Sequence, residues 1–223
     1  MTQHQYNDVA NAGPGMKARG AEERRSTPLA NAAAMPARRV GIMGASATGI
    51  GIARSLLAAD IPVTLYEAAR EALDNATASM RSDYEASVGE GGLTAGQRDR
   101  RVALLAATID LHHLKDCDVI VDALRMDPDA KEALLRRLNE VARPDAVLLT
   151  DIANGDVDRV AALARFPANV LGFRLSEGTR GGQVWELVPG KATSRGALAT
   201  AARLVAKLGI PPGTALPPAM SLA

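Results

Sequence analysis

A glycine-rich segment between an apolar run and a helical pattern holds the residues whose spacing is most suited to chemistry. Residues 40–53 read VGIMGASATGIGIA, and the turn within them is Gly44-Ala45-Ser46-Ala47-Thr48-Gly49. Gly44 allows a sharp turn off a strand, and Gly49 lets the following helix pack closely. The N-terminus of that helix offers unpaired N–H groups and a partial positive charge to a pyrophosphate. This pattern is typical of a dinucleotide-binding turn, with Ser46 at the middle glycine.

Ser46 and Glu67 decide how such a turn would bind its ligand. A side chain at position 46 intrudes where the backbone approaches the pyrophosphate, although a serine hydroxyl can also donate to a phosphate. Glu67 lies 23 residues after Gly44, at the end of the second predicted strand. An acid there can accept both ribose hydroxyls of NAD and repel the 2′-phosphate of NADP; the alternative is a solvated loop acid. Together these features predict NAD as the cofactor.

The elements that must position these residues alternate between strands and helices. Apolar runs predict strands at 40–43, 63–66, 106–108, 119–123, 147–150, 170–173 and 184–188. Helical spacing predicts helices at 48–59, 73–88, 94–105, 127–141, 157–165 and 194–208. This alternation predicts an α/β fold with a Rossmann-like, doubly wound and mainly parallel sheet. The site should lie at the carboxyl ends of the strands.

Composition limits the domains and partners of the chain. Residues 1–38 lack periodicity and predict a disordered tail, in which Met35 is an alternative start; residues 39–210 predict one domain, and 211–223 an irregular tail. The net charge of +1 gives no reason to expect nucleic acid. No apolar run reaches the ~18 residues of a membrane span, and no secretory signal is evident. We therefore expect a cytoplasmic protein without a membrane partner.

The cysteine and histidine content points away from thiol or metal chemistry. Cys117 is the single cysteine, which favours a small core residue over a nucleophile. His112 and His113 precede the 119–123 strand, so we expect them on the surface, away from the ligand-binding edge, rather than as a catalytic base. No spacing of Cys, His and Asp predicts a metal site.

Several segments resemble the NAD-binding N-terminal domain of the L-3-hydroxyacyl-CoA dehydrogenase family. The turn resembles that family's G-x-G-x-M-G-x-G-I-A, and the two helices joined by Gly92-Leu93-Thr94 match its helical insertion after strand two. Residues 118–124, DVIVDAL, resemble its D-L-V-I-E-A-V; 169–173 resemble R-V-I-G-x, and 184–190 resemble L-V-E-V-V-P-G. The resemblance covers 39–208. It implies NAD contacts along the turn and from Ala123, Leu124 and Lys131.

The same resemblance implies a catalytic site with several replacements. In that family a His takes the hydroxyl proton while hydride passes to the nicotinamide, and a Glu orients the His. Glu186 falls on the Glu, whereas Arg174 falls on the His. Ala153 falls on a substrate-binding Ser, and Met126 on a second acid near the nicotinamide. Arginine cannot act as a base at neutral pH.

Three roles remain open for Arg174. It can form a bidentate, structural ion pair with Glu186, bind a carboxylate or phosphate of a ligand, or act as an electrophilic stabiliser in a changed reaction. The family's C-terminal helical domain is expected to be absent because the sequence ends at Ala223, so a partner subunit is one expected source of it.

Three functions follow from these observations. The first is an NAD(H)-dependent oxidoreductase acting on a 3-hydroxyacyl thioester or a related hydroxy acid, with an acyl-CoA-like substrate. The second is a catalytically silent NAD(H)-binding protein used for sensing or assembly. The third is a structural relic that binds nothing.

Overall fold

One eight-stranded sheet forms the centre of the molecule. The computed structural model describes residues 34–152, 156–177, 183–209 and 213–214. The strands are β1 Val40–Met43, β2 Val63–Tyr66, β3 Leu105–Thr108, β4 Val119–Asp122, β5 Val147–Asp151, β6 Val170–Glu177, β7 Gln183–Pro189 and β8 Gly213–Thr214. Their order is β3-β2-β1-β4-β5-β6-β7-β8, and all neighbours are parallel except β6 and β7. The predicted Rossmann-like, mainly parallel sheet is confirmed.

Helices cover both faces of this sheet. They are α1 Ala47–Ala58, α2 Arg70–Gly89, α3 Ala95–Ala103, α4 Pro128–Val141, α5 Val157–Leu163 and α6 Arg195–Lys207. Buried side chains of α1, α2 and α6 form one apolar core with the sheet, and those of α4 and α5 form a second core on the other face. The strands β1, β2 and β4 are therefore buried on both sides, which is why they read as nearly continuous apolar runs.

The predicted helical insertion after strand two is present as α2 and α3. One face of α2 is buried through Leu73, Ala76, Met80 and Tyr84. Thr94 and Gln97 form a capping box: the Gln97 amide donates to Thr94 Oγ1 over 3.2 Å, and the Thr94 amide donates to Gln97 Oε1 over 2.9 Å. This reciprocal pair satisfies two backbone donors at the start of α3.

The last strands differ from the sequence-based expectation. β6 continues to Glu177, beyond the expected end at 173, because its second half pairs antiparallel with β7, as Leu175 does with Trp185. Residues 213–214, expected to be irregular, form β8 and pair with Glu186 and Leu187 of β7. In both cases the backbone hydrogen bonds come from β7, and the composition of the segment itself does not indicate that such a neighbouring strand is present.

The described part of the predicted N-terminal tail, residues 34–38, has no regular structure but contacts the folded body. The Met35 amide donates to Thr200 Oγ1 over 2.9 Å. The Arg38 and Arg39 amides both donate to Asp118 Oδ2. Of the helices that the structure describes, none combines the length and apolar character needed to cross a membrane.

Candidate functional site

The turn between β1 and α1 depends on glycine at two positions. Gly44 has φ +105°, and a Cβ on it would lie 2.9 Å from the Ala123 carbonyl oxygen. A Cβ on Gly49 would lie only 2.1 Å from the Gly44 carbonyl oxygen. Side chains are excluded at both places, so α1 starts directly against the end of β1, with its N-terminus at the edge where β1, β2 and β4 all end.

Ser46 occupies the third position of the pattern and is the N-cap of α1. Its Oγ accepts from the Gly49 amide over 3.3 Å and donates to the Ala123 carbonyl oxygen over 3.0 Å. The Ser46 hydroxyl, which the sequence suggested as a donor to a phosphate, therefore donates to the end of β4 instead. Ser46 caps the helix and joins the turn to β4 at the same time.

Glu67 lies beside the same turn, directly after β2. Its Oε2 accepts from the Ala45 amide over 3.1 Å, and its Oε1 accepts from the Ala69 amide over 3.2 Å. The side chain is half-buried. Each carboxylate oxygen has a second acceptor direction, so Glu67 can also accept ribose hydroxyls without losing these bonds. The arrangement fits the adenosine ribose of a dinucleotide.

The end of β4 carries a buried ion pair. Asp122 is fully buried, and its Oδ2 lies 2.8 Å from Lys131 Nζ and 2.8 Å from Thr150 Oγ1. Its Oδ1 accepts from the Leu124 amide over 3.2 Å. These contacts compensate the desolvation of the carboxylate and hold the connection between β4 and α4 in place. The ammonium of Lys131, expected among the cofactor contacts, is thus committed to Asp122.

Asp122 and Arg125 were not predicted as site residues. Asp122 was visible as the acid that interrupts the apolar 119–123 run, and Lys131 nine residues later supplies its counter-charge. Arg125 follows the carboxyl end of β4, and its Nη2 lies 3.4 Å from Thr48 Oγ1 in the first turn of α1. Neighbouring Met126 is exposed.

A cavity of about 520 Å³ opens beside this connection, between α4 and α5. Apolar residues from both helices line it together with Leu124 and Met126, and its charged groups include Arg125, Lys131 and Asp156. It therefore adjoins the carboxyl edge of β4, where a ligand that crosses the sheet edge would pass.

Arg174 and Glu186 lie beyond the end of β5, on the same edge of the sheet. Phe173 pairs with Asp151, the last residue of β5, and Arg174 comes next, directly opposite Glu186 on β7. Arg174 Nη1 donates to Glu186 Oε2 over 2.8 Å. Of the three roles left open for Arg174, the ion pair with Glu186 is present, with one contact rather than a bidentate pair. Ala153 lies outside the described residues.

The other candidates are structural or peripheral. Cys117 is buried, and burial raises the pKa of its thiol to about 11, which disfavours a thiolate nucleophile. His113 Nδ1 lies 2.7 Å from Thr108 Oγ1, at the carboxyl end of β3. His112 and His113 are exposed, as expected, but the expectation that they lie away from the ligand-binding edge is wrong for His113, because this contact places its ring beside the end of β3. In the described ranges no three His, Cys, Asp or Glu side chains cluster as a metal site.

Comparison with known proteins places this geometry in a family. Residues 39–212 match the model of the 3-hydroxyacyl-CoA dehydrogenase NAD binding domain. A 3-hydroxybutyryl-CoA dehydrogenase of Mycobacterium tuberculosis is 33% identical over 137 residues, which are 61% of this chain and 48% of that protein. The chain thus spans about half the length of that relative.

Solved structures share the fold. The crystal structure of M. tuberculosis FadB2 matches with a TM-score of 0.74 and 27% identity, over 82% of this chain and 65% of that one. The 3-hydroxybutyryl-CoA dehydrogenase from Escherichia coli matches with a TM-score of 0.76 and 26% identity, over 82% of this chain and 39% of that one.

Proposed function

The chain belongs to the 3-hydroxyacyl-CoA dehydrogenase family, and residues 39–212 match the NAD-binding domain of that family. We propose that it binds NAD(H) but does not itself supply the family's catalytic base. NAD is the cofactor of the matched domain. The observation that carries the proposal is the Arg174–Glu186 ion pair, at the two positions where the resemblance expects a His and its orienting Glu.

The turn residues have distinct roles in this proposal. Ala47 and Thr48 present the amides at the start of α1 to the diphosphate, and the N-terminus of the helix favours its negative charge. The Ala45 amide donates to Glu67 instead, so Ala45 contributes by positioning that carboxylate beside the turn. Glu67 accepts the ribose hydroxyls. Ala123 and Leu124, at the end of β4, form the apolar floor on the nicotinamide side. Lys131 acts indirectly, by holding Asp122 and through it the Leu124 amide.

Arg174 makes proton abstraction at its own position unfavourable. A guanidinium has only donors and stays protonated at all relevant pH values, so it cannot take a hydroxyl proton from a substrate. Its Nη1 also engages Glu186 Oε2, which in the expected pair would orient the base. The bound cofactor would supply a hydride acceptor, but the described residues at this position supply a positive charge instead of a base.

The second candidate is an active oxidoreductase acting on a 3-hydroxyacyl thioester or a related hydroxy acid. The curated relatives named as 3-hydroxybutyryl-CoA and 3-hydroxyadipyl-CoA dehydrogenases favour it. So does the exposure of Arg174, whose side chain is 54% accessible and can reach an anionic group of a substrate. A partner subunit that contributes to the substrate site belongs to this candidate.

Cofactor binding is tested first, by titrating the protein with NADH and following both nucleotide fluorescence and melting temperature. We expect saturable binding and a rise in melting temperature, with NADPH much weaker because Glu67 repels the 2′-phosphate. Glu67→Gln should reduce the preference for NADH over NADPH. If neither signal responds at millimolar NADH, the proposal is wrong, and the protein is the structural relic that binds nothing.

Catalysis is tested by following NADH oxidation with acetoacetyl-CoA. We expect no turnover by the unaltered protein. Arg174→His, alone and with Ala153→Ser, restores the family's residue types and should introduce weak activity, whereas the matched variant Arg174→Met should stay inactive. Turnover by the unaltered protein that is lost in Arg174→Met would favour the second candidate.

A cytoplasmic location also remains a proposal. It rests on the sequence composition and on the finding that none of the described helices could cross a membrane. Fractionation of cells that produce the protein, with detection in the soluble and membrane fractions, would test it.

A further inference from the structure

Arg125 reaches from the end of β4 to the N-terminus of α1. Its Nη2 lies 3.4 Å from the hydroxyl of Thr48, the second residue of that helix. The side chain is exposed, and it forms no ion pair with any carboxylate in the part of the chain that the structure describes. Its guanidinium is therefore placed across the crevice between β1 and β4 with its charge unpaired.

This placement brings two positive groups together. The first turn of α1 contains no acidic residue, so the partial positive charge of the helix N-terminus is not neutralised by its own side chains. Glu67 is bonded to the Ala45 and Ala69 amides on the β2 side of the turn. Without a ligand, the guanidinium and the helix N-terminus repel each other because both carry positive charge. An anion bound between them is attracted by both, so the arrangement is favourable when a ligand is present.

The backbone that carries Arg125 is held firmly. The Leu124 amide donates to Asp122 Oδ1, and the Ala123 carbonyl oxygen accepts from Ser46 Oγ. The two residues before Arg125 are thus tied to the buried ion pair of β4 on one side and to the turn on the other. The main chain at Arg125 is therefore fixed beside the mouth of the crevice.

We propose that Arg125 binds the diphosphate of the dinucleotide from the β4 side. This inference rests on the proposed NAD(H) binding and adds a residue to that site. The guanidinium supplies two parallel N–H donors to phosphate oxygens, while the amides at the start of α1 bind from the opposite side. It thereby replaces the hydroxyl donor that Ser46 directs to the Ala123 carbonyl oxygen.

The test compares Arg125→Met with Arg81→Met by calorimetric titration with NADH and with ADP-ribose. Both variants remove one exposed arginine charge, but Arg81 lies on α2, remote from the turn. We expect Arg125→Met to weaken both ligands about tenfold or more, since a charge-assisted bond to phosphate is lost. Its affinity should also depend less steeply on salt. Arg81→Met should bind as the unaltered protein does.

Melting temperature without ligand separates this role from a purely structural contact with Thr48. If Arg125 only supports the fold, Arg125→Met should melt at a lower temperature than the unaltered protein. We expect the ligand-free melting temperature to stay the same or rise, because the variant removes a repulsion, while the NADH-induced rise becomes smaller.

Two outcomes would overturn the inference, and they are distinguishable. If the unaltered protein and Arg125→Met bind NADH and ADP-ribose equally well, the diphosphate is held without Arg125, and the proposed NAD(H) binding stands. If the unaltered protein itself binds neither ligand, the proposed function fails and the role of Arg125 fails with it.

Discussion

Arg174 and Glu186 lie directly opposite each other on the antiparallel strands β6 and β7, and one hydrogen bond of 2.8 Å joins their side chains. Strand register creates this relationship, because the chain between the two residues reverses direction and returns alongside itself. Both side chains retain access to solvent, 54% and 32% of their surface respectively. The pair is therefore a surface ion pair at the edge of the site rather than a buried catalytic dyad.

A double-mutant cycle should find only weak coupling between these two side chains. We expect Arg174→Met, Glu186→Gln and the double variant to give a coupling energy below about 1 kcal/mol, because solvent screens an exposed pair and ordering two side chains costs entropy. Urea unfolding of the four proteins at low and high salt measures it. A coupling energy of several kcal/mol that does not change with salt would contradict this prediction, because it would show that solvent does not screen the pair.

Lys131→Met should destabilise the protein by about 3–5 kcal/mol, because it leaves the fully buried Asp122 carboxylate without its cation. Lys115→Met is the matched control, since Lys115 is exposed and should tolerate the change. Adding Asp122→Asn to Lys131→Met removes the orphaned charge and should recover part of the loss in urea unfolding. If the double variant were less stable than Lys131→Met, the unpaired Asp122 charge would not be the cause of the destabilisation.

Gly49→Ala should weaken both the fold and NADH binding. Its Cβ would lie 2.1 Å from the Gly44 carbonyl oxygen, so α1 must move away from β1, at a cost of about 1–3 kcal/mol. Gly96→Ala is the control, because a Cβ there meets no atom within 4 Å. Thermal melts and NADH titrations of both variants should show losses for Gly49→Ala and none for Gly96→Ala. Equal behaviour would contradict the close approach of α1 to the turn.

Cys117 should make stability fall at alkaline pH. Burial raises the pKa of its thiol to about 11, above the ~8.5 of an unfolded cysteine. The folded state therefore keeps the proton longer than the unfolded state does. The free energy of unfolding is therefore unaffected by ionisation of Cys117 below about pH 8.5. It falls by about 3 kcal/mol in total as the pH rises from there through about 11. Urea unfolding across this range should fall more steeply for the natural protein than for Cys117→Ala, and identical slopes would contradict the raised pKa.

Local patterns were sufficient for most of the fold. The apolar runs of β1, β2, β4 and β5 and the residue spacing within the helices are patterns of neighbouring residues, so they can be recognised in order along the chain. Two features needed a distant partner and were misjudged. β6 extends because β7 pairs with it, and β8 forms because the edge of β7 is available.

The candidate site divides in the same way. The amino-acid sequence by itself determined that Gly44 and Gly49 frame a turn, that Glu67 follows the next strand, and that Arg174 stands where the resemblance expects a base. Backbone conformation and residue type are local properties, and these conclusions need nothing else. Only the tertiary structure decided where side chains direct their polar atoms.

Tertiary packing directs the Ser46 hydroxyl to Ala123, the Lys131 ammonium to Asp122, and Arg125 to the first turn of α1. Each of these contacts joins residues on different elements that parallel pairing brings to one edge of the sheet. A hydrogen bond acts over about 3 Å, whereas its partners can be tens of residues apart in the chain. Sequence spacing therefore identifies the turn, and the packed sheet determines which side chains remain available to a ligand there.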